Sequence, residues 1–362
     1  MKIIIFILIL ILGCNVNDET NTKKHDIKNV KPIKRSTELT IKDTIHIEDN
    51  RHLIGQISTV ISKASNNGNL YLYDRRNHLF LEYNRTGKLI NIVGKNGTGP
   101  GEYLNPSNIY IDEKNYKYIF DTAKFTTIVF DNHDKFIREY KYSIGFPFPG
   151  ELKIDSSYKI ITLTNMGVNR YKEVEYFHFL NNKFKIVKSL KIDYPDIYNR
   201  YDLMNLTTPI WDANKKNIFI TFPATNSIYI YNLNANLTTV WKLNSHFFKS
   251  INKKLDITLS AIKKKKFFSS YSLSSFLKIF KKNYIFYAYQ IGALQNNENI
   301  NKRPYEGTYY FHILTINGED LYLHKNKLPG PVIDVTENGF LYLLINDNPY
   351  KPMIGAYKIE IK

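Results

Sequence analysis

The sequence has almost no cysteine: Cys14 is the only one among 362 residues. A chain with a single cysteine forms no internal disulfide and no metal site built from several cysteines. Its fold must therefore be stabilised by a hydrophobic core. A chain of this length can build such a core, because the buried share of the surface rises with size.

Long hydrophobic runs are equally scarce. The longest, Ile3–Leu12, has ten residues without a polar group, whereas a membrane-spanning helix needs about 20. Lys2 precedes this run and Gly13 follows it. A short apolar segment with a basic start and a small residue at its end is typical of a secretory signal peptide. The sequence therefore predicts an exported protein with a signal peptide over residues 1–13.

Residues 11–14, Ile-Leu-Gly-Cys, resemble the lipobox of bacterial lipoproteins. The resemblance implies that the peptide is cut just before Cys14 and that lipid is attached to Cys14. Several acyl chains give stable attachment, whereas a single chain gives only marginal binding. We therefore expect the protein to bind the membrane through lipid on Cys14. The alternative is an ordinary cysteine in an uncleaved anchor.

Phe, Tyr and Trp are missing from residues 15–35, which are polar and charged. Such a composition buries too little apolar surface to fold, and it predicts a flexible tether over residues 14–36. Residues 17–19, Asn-Asp-Glu, follow Cys14 closely. In some Gram-negative bacteria an acidic cluster at this place directs lipoproteins to the cell surface. We expect an outer-membrane lipoprotein of the cell envelope, exposed at the surface, although a solvated linker explains the same residues equally well.

Acidic residues are in short supply: Lys and Arg number 50, Asp and Glu 33, and the net charge is +17. We predict no nucleic-acid partner, because an exported protein rarely meets nucleic acid and the lysines are scattered along the chain. The densest basic segment, Lys263–Lys266, is followed by phenylalanines. Clustered lysines attract anions. This segment either contacts anionic lipid headgroups or acidic glycans, or forms an ordinary solvated face.

Internal repeats are what the sequence does contain. Three pairs of identical or similar residues lie 47 positions apart: Asp74 and Asp121, Tyr83 and Phe130, Lys88 and Lys135. Around them, runs of aromatic and β-branched residues alternate with Asn, Asp and Gly, which is typical of strands joined by tight turns. A period of 40 to 50 residues built from short strands is typical of a propeller blade.

These units predict an all-β fold, a six-bladed β-propeller over residues 37–362. We place the blades near residues 60–106, 107–149, 150–200, 201–245, 270–328 and 329–361. The alternating segment Glu38–Ile47 predicts a strand, which we expect to pair with Ala356–Ile361 and close the ring. Residues 247–282 break the pattern and predict a short helical insertion.

The most distinctive segment covers residues 94–105, GKNGTGPGEYLN. It is not a phosphate-binding loop, because no Gly-Lys-Ser/Thr opens a helix there. Glycine permits positive φ and proline stiffens a turn. We therefore predict a sharp connection between blades, and its structural residues are Gly97, Gly99, Pro100, Gly101 and Glu102. Glu102 either accepts backbone N–H groups or faces the mouth of the channel.

This segment, with the lipobox and the repeats, resembles the six-bladed propeller lipoproteins of the TolB-like and NHL-like group in Gram-negative bacteria. The resemblance covers most of the chain. It implies a six-bladed fold and an envelope location, and it carries no catalytic residue over to this sequence.

Catalytic motifs are missing. The nine histidines are dispersed without metal-ligand spacing. Four of them could converge on the channel only if each held the same place in its blade: His78, His133, His178 and His312. His78 and His133 are 55 residues apart rather than 47, so these two hold different places. We predict no metal and no cofactor, and we assign no catalytic residue.

The favoured function is a binding module for an envelope protein, a peptide or a glycan. The alternative is an envelope lyase or hydrolase with a metal or carboxylates at the channel.

Overall fold

The structure is a computed structural model of the 362-residue chain. It describes residues 26–32, 37–47, 54–141, 149–154, 159–165, 174–181, 185–203, 209–234, 236–245, 247–256, 258–292, 307–321, 327–348 and 352–361. Cys14 and the predicted signal peptide lie outside these residues. Within them, no helix combines the length and the hydropathy that crossing a membrane requires.

Three strands precede the first blade: β1 (Asp26–Asn29), β2 (Lys31–Pro32) and β3 (Thr37–His46). Blade 1 follows with β4 (Ile57–Ala64), β5 (Leu70–Asp74), β6 (Leu79–Tyr83) and β7 (Leu89–Val93). The next connection contains β8 (Lys95–Asn96) and β9 (Glu102–Tyr103). Blade 2 contains β10 (Pro106–Ile111), β11 (Lys117–Asp121), β12 (Thr126–Phe130) and β13 (Phe136–Lys141). Blade 3 contains β14 (Pro149–Ile154), β15 (Lys159–Asn165), β16 (Val174–Leu180) and β17 (Ile186–Ile192).

Among the described residues of the second half, two helices are present, each before a blade. Helix α1 (Asp196–Arg200) precedes blade 4, which contains β18 (Ile210–Ala213), β19 (Asn217–Thr221), β20 (Ser227–Asn232) and β21 (Leu237–Lys242). Helix α2 (Ala261–Ser269) precedes blade 5, which contains β22 (Ser272–Phe280), β23 (Tyr284–Ile291), β24 (Thr308–Thr315) and β25 (Glu319–Asp320). Blade 6 contains β26 (Val332–Val335), β27 (Phe340–Asn346) and β28 (Met353–Ile361).

The predicted six-bladed propeller is confirmed. Consecutive strands of each blade pair in order. The first strands lie toward the centre and contact one another between blades 1 and 2, 2 and 3, 4 and 5, 5 and 6, and 6 and 1. The middle strands β5 and β12 are buried along their whole length. Both faces of these blades pack on a neighbour, so strict alternation is lost. Burying one such side chain contributes about 1.5 to 3 kcal/mol.

The ring closes through the two ends of the chain. Strand β3 pairs antiparallel with β28, with Thr37 opposite Ile361 and His46 opposite Met353. The predicted pairing is therefore present. It makes β3 the outer strand of blade 6 and leaves no gap in the ring at blade 6.

The prediction of a flexible tether is wrong for residues 26–32. Strand β1 pairs in parallel with β21 of blade 4, and β2 pairs in parallel with β25 of blade 5. Between them, Val30 is only 3% exposed. The polar composition that suggested disorder suits an exposed edge strand equally well, and the outer edges of two blades offer unpaired N–H and C=O groups. We call residues 26–32 the strap.

The predicted helical insertion over residues 247–282 is partly wrong. Among the described residues of this segment, helix is confined to α2, and residues 272–280 form β22, the innermost strand of blade 5. Strand β22 packs against the first strands of both neighbouring blades. Its apolar residues therefore do not alternate regularly with polar ones, and the sequence of this segment did not predict a strand.

The two ends of the blades form two faces. Turns between the first and second strands, and between the third and fourth, lie at one end, which we call the turn face. Turns between the second and third strands, and all connections between blades, lie at the other end, which we call the insertion face. This follows from antiparallel pairing within every blade.

Candidate functional site

The glycine-rich segment connects the outer strand of blade 1 to the inner strand of blade 2, at the insertion face. The Gly99 N–H donates to Glu102 Oε2 at 2.7 Å, and Lys95 Nζ lies 2.9 Å from Glu102 Oε1. Of the two roles considered for Glu102, the structure therefore shows the bonded one. The Lys95 ammonium, and then the Gly99 N–H, lower the pKa of the Glu102 carboxyl.

Close packing explains why this connection is rich in glycine. A Cβ at Gly97 would lie 2.1 Å from Glu102 Oε2. Pro100 precedes Gly101, whose N–H donates to Glu139 Oε1 at 3.2 Å. Lys124 Nζ bonds the carbonyl oxygens of Gly99 and Glu102 at 3.1 and 2.7 Å. The polar groups of the segment are thus used to hold its own conformation, which makes it a structural connection.

The repeated aspartates lock each connection to its blade. Asp121 accepts hydrogen bonds from four backbone N–H groups, those of Leu104, Asn105, Ala123 and Lys124. Asp74 does the same for Gly55, Gln56, Arg76 and Asn77. Both carboxylates are at most 1% exposed. The 47-residue spacing singled out these residues, but it did not reveal that they join a connection to a turn.

Two aspartates of the inner strands link neighbouring blades. Asp212 accepts from the Ile279 N–H at 2.7 Å, and Asp334 accepts from the Ala64 N–H at 3.1 Å and lies 3.2 Å from Lys278 Nζ. They are 5% and 2% exposed. Among the described residues, no group of three or more His, Cys, Asp or Glu side chains is placed to hold a metal ion.

His78 and His133 occupy different places in their blades, whereas His178 and His312 both lie in the third strand of theirs. His78 lies in the turn after β5 and His133 in the turn after β12, which are at opposite faces. His178 lies within β16 and His312 within β24. His312 Nδ1 is 2.7 Å from Asp320 Oδ2, with both side chains buried between strands β24 and β25.

A cleft of about 220 Å³ opens at the turn face where the ring closes. Blade 6 and its strand β3 form one wall and the turns of blade 1 form the other. Its lining residues are Lys42, Asp43, Ile45, Asn66, Gly68, Arg85, Thr336, Phe340, Tyr342 and Ala356. We call it the seam cleft. Sequence reasoning missed it, because its walls come from segments about 270 positions apart in the chain.

The seam cleft combines an apolar floor with charged groups at its opening. Ile45, Tyr342 and Ala356 are at most 6% exposed. Arg85 Nε donates to the Asn67 carbonyl at 2.6 Å, which fixes the guanidinium at the opening. Gly68 permits this approach, because its φ is +89° and a Cβ there would lie 2.4 Å from Arg85 Nε. Burial raises the pKa of Tyr342, so its hydroxyl stays protonated.

The chemistry of the seam cleft suits a polar ligand with one negative group. A planar guanidinium binds a carboxylate or a phosphate through two parallel hydrogen bonds. Lys42 and Arg85 outnumber Asp43 in the lining. The volume is below the usual range for whole ligands, roughly 300 to 1,000 Å³. It fits one ring or one residue of a larger molecule.

The insertion face carries a second distinctive feature above blade 4. Residues 243–271, which we call the basic cap, connect blade 4 to blade 5 and contain α2. Ile251, Leu255 and Phe268 of the cap are buried in one apolar cluster with Tyr198 and Leu203, which belong to the connection before blade 4. Both insertions are therefore packed onto blade 4.

Six blades closed by strands from both chain ends define the protein as a six-bladed β-propeller. The chain belongs to the DUF5128 family, described as a 6-bladed beta-propeller, and residues 19–293 match that family. No curated protein matches the sequence.

Solved structures that share the fold include two from Bacteroides. A member of the DUF4221 family from Bacteroides vulgatus superposes with a TM-score of 0.66 at 14% identity, covering 90% of this chain and 99% of that one. A protein of Bacteroides fragilis that is assigned as exported gives a TM-score of 0.57 at 13% identity, covering 94% and 100%. At such identities the likeness concerns the fold alone.

Proposed function

We propose that the protein is a lipoprotein of the cell envelope, anchored through Cys14, and that its propeller binds a ligand with a carboxylate or phosphate group in the seam cleft. The observation that carries the binding site is the fixed guanidinium of Arg85 at the opening of an apolar cleft. A charge-assisted, two-point contact of this kind gives both affinity and orientation.

Further support comes from the construction of the ring. The glycine-rich connection and the buried aspartates use their polar groups to hold backbone. The seam cleft differs, because Arg85 is exposed and Tyr342 is a protonated phenol at its floor. A cleft between rigid blades is pre-organised, so ordering the protein costs little when the ligand binds.

Binding in the seam cleft can be tested with acidic monosaccharides and acidic dipeptides, using calorimetry on the purified protein. We expect at least one probe to bind, and Arg85→Met to weaken it about tenfold or more, because a hydrogen bond to a charged group contributes roughly 1.5 to 3 kcal/mol. The matched control is Arg138→Met, at an exposed arginine on the outer strand of blade 2. Equal affinity in wild type and Arg85→Met, or no binding of any probe, would contradict the proposed site.

The anchor is tested separately, by growing cells with a labelled fatty acid. We expect label on the wild-type protein and none on Cys14→Ser, with the variant released from the membrane fraction. Label that persists in the variant would show that lipid is attached elsewhere or that the protein is held otherwise.

A further inference from the structure

The basic cap is the most strongly charged segment of the insertion face. Residues 243–271 contain seven lysines and one acidic residue, Asp256. Lys254 pairs with Asp202 at 2.8 Å. Four other lysines have exposed side chains and no salt bridge to any described residue: Lys249, Lys253, Lys263 and Lys266. The cap therefore presents concentrated positive charge to the solvent.

The packing of the cap makes this charge a fixed surface. Ser260 caps α2 by accepting from the Lys263 N–H at 3.5 Å. At the other end of the helix, Phe268 is 8% exposed within the cluster on blade 4. Lysines before Phe268 are thereby held on a short, anchored helix, so placing them against a charged partner costs little additional ordering.

The strap brings the start of the chain to the same blade. The Val30 N–H donates to the Lys242 carbonyl at 2.9 Å, and the cap begins at the next residue, Leu243. Val30 and Leu243 share one buried cluster. Between Cys14 and Asp26 lie residues 15–25, which span at most about 40 Å when fully extended. Strand β1 is parallel to β21, with Asp26 opposite Thr239 and Asn29 opposite Lys242. A lipid on Cys14 therefore tethers the ring by the outer strand of blade 4, which leads into the cap.

We infer that the basic cap is a second membrane contact, which binds anionic lipid headgroups. The inference rests on the proposed anchor, since the tether is what brings blade 4 to the membrane. Clustered lysines are attracted to anionic lipid, and attachment through two signals is stable where either alone is weaker. The contact turns the insertion face toward the membrane and leaves the seam cleft, on the turn face, open to solution.

The test uses the mature chain with Cys14→Ser, so that no acyl chain contributes, and co-sedimentation with vesicles. Vesicles of phosphatidylglycerol and phosphatidylethanolamine are compared with vesicles of phosphatidylcholine. We expect binding to the anionic vesicles that weakens with salt. Changing Lys263, Lys264 and Lys266 to serine should lower the partition coefficient about tenfold or more. The matched control changes three lysines of the turn face to serine: Lys88, Lys114 and Lys135.

Equal losses in the two triple variants would overturn the inference, because they would show attraction to net charge rather than to the cap. Absence of binding to the anionic vesicles would overturn it as well. So would binding to the acidic polysaccharide alginate without binding to the vesicles, which would make a glycan the partner. Thermal unfolding of each variant establishes that it is folded. The fatty-acid label reports on the anchor alone, so failure of the anchor and failure of the cap are distinguishable.

Discussion

Blades 1 and 2 differ from blades 4 and 5 in where they place their polar residues. Between blades 1 and 2 the charged groups are internal: Lys117 Nζ lies 2.5 Å from Asp134 Oδ1, and both side chains are at most 4% exposed. Nearby, the Tyr71 hydroxyl donates to Glu82 Oε1 at 2.6 Å. Blades 4 and 5 also bury Asp212 and the His312–Asp320 pair, but their concentrated charge lies outside, on the cap and on the strap.

The difference shows that blades with the same four-strand arrangement are stabilised in two ways. Asp74 and Asp121 are the last residues of the second strands of blades 1 and 2, whereas the second strand of blade 4 ends at Thr221. Blade 4 is instead covered by two packed insertions and by β1 along its outer edge. Buried polar locks permit short connections, whereas covering segments leave room for long insertions that carry charge.

The largest effect is expected from Asp121→Ala, which removes the lock of blade 2. Four backbone N–H groups lose a charged acceptor, so the free energy of unfolding should fall by about 3 to 5 kcal/mol. Denaturant titration measures it. The control is Asp112→Ala, which removes a local turn contact of the same blade and should cost about 1 kcal/mol. A similar loss in both variants would mean that the lock between connection and turn adds nothing.

An intermediate effect is expected from Val30→Asp, which acts on the strap. Burying a carboxylate beside Trp241 and Leu243 is unfavourable, so the strap should detach and the burial of one valine, about 1.5 to 3 kcal/mol, is lost. Limited proteolysis should then cut near residue 30, and the melting temperature should fall by several degrees. Ile27→Asp is the control, because Ile27 is 53% exposed. Resistance to protease in Val30→Asp equal to that of wild type would refute the role of the strap.

The smallest effect is a pH dependence at the junction of blades 1 and 2. Burial, followed by the neighbouring Asp134 carboxyl, raises the pKa of Glu82 in the folded protein. Folding therefore favours protonated Glu82, and this contribution is lost as the pH rises through the raised pKa. Glu82→Gln keeps the acceptor for Tyr71 without a charge. Its melting temperature should exceed that of wild type by about 1 to 3 °C at pH 8 and by less at pH 4.

The pH prediction has a simple control in Glu113→Gln, since Glu113 is exposed at a turn of blade 2. A melting-temperature difference between Glu82→Gln and wild type that stays constant from pH 4 to pH 8 would contradict a raised pKa.

Local patterns predicted much of the fold. The 47-residue offset between Asp74 and Asp121 gave the blade period, and alternation in residues 38–47 gave the closing strand. The strap was missed, because its residues have no apolar pattern and form strands only where an outer edge accepts them. The seam cleft was missed because Arg85 and Tyr342 lie far apart in the chain and meet through ring closure.

The sequence by itself determined the all-β class, the number of blades and the segment that closes the ring, since these follow from periods and turn residues within about 50 positions. Lipid on Cys14 stays a prediction of the sequence. Only the tertiary structure decided that residues 26–32 form a strap, that Asp121 locks a connection, and that Arg85 faces a cleft. These depend on hydrogen bonds and packing between distant segments, whose geometry no local pattern contains.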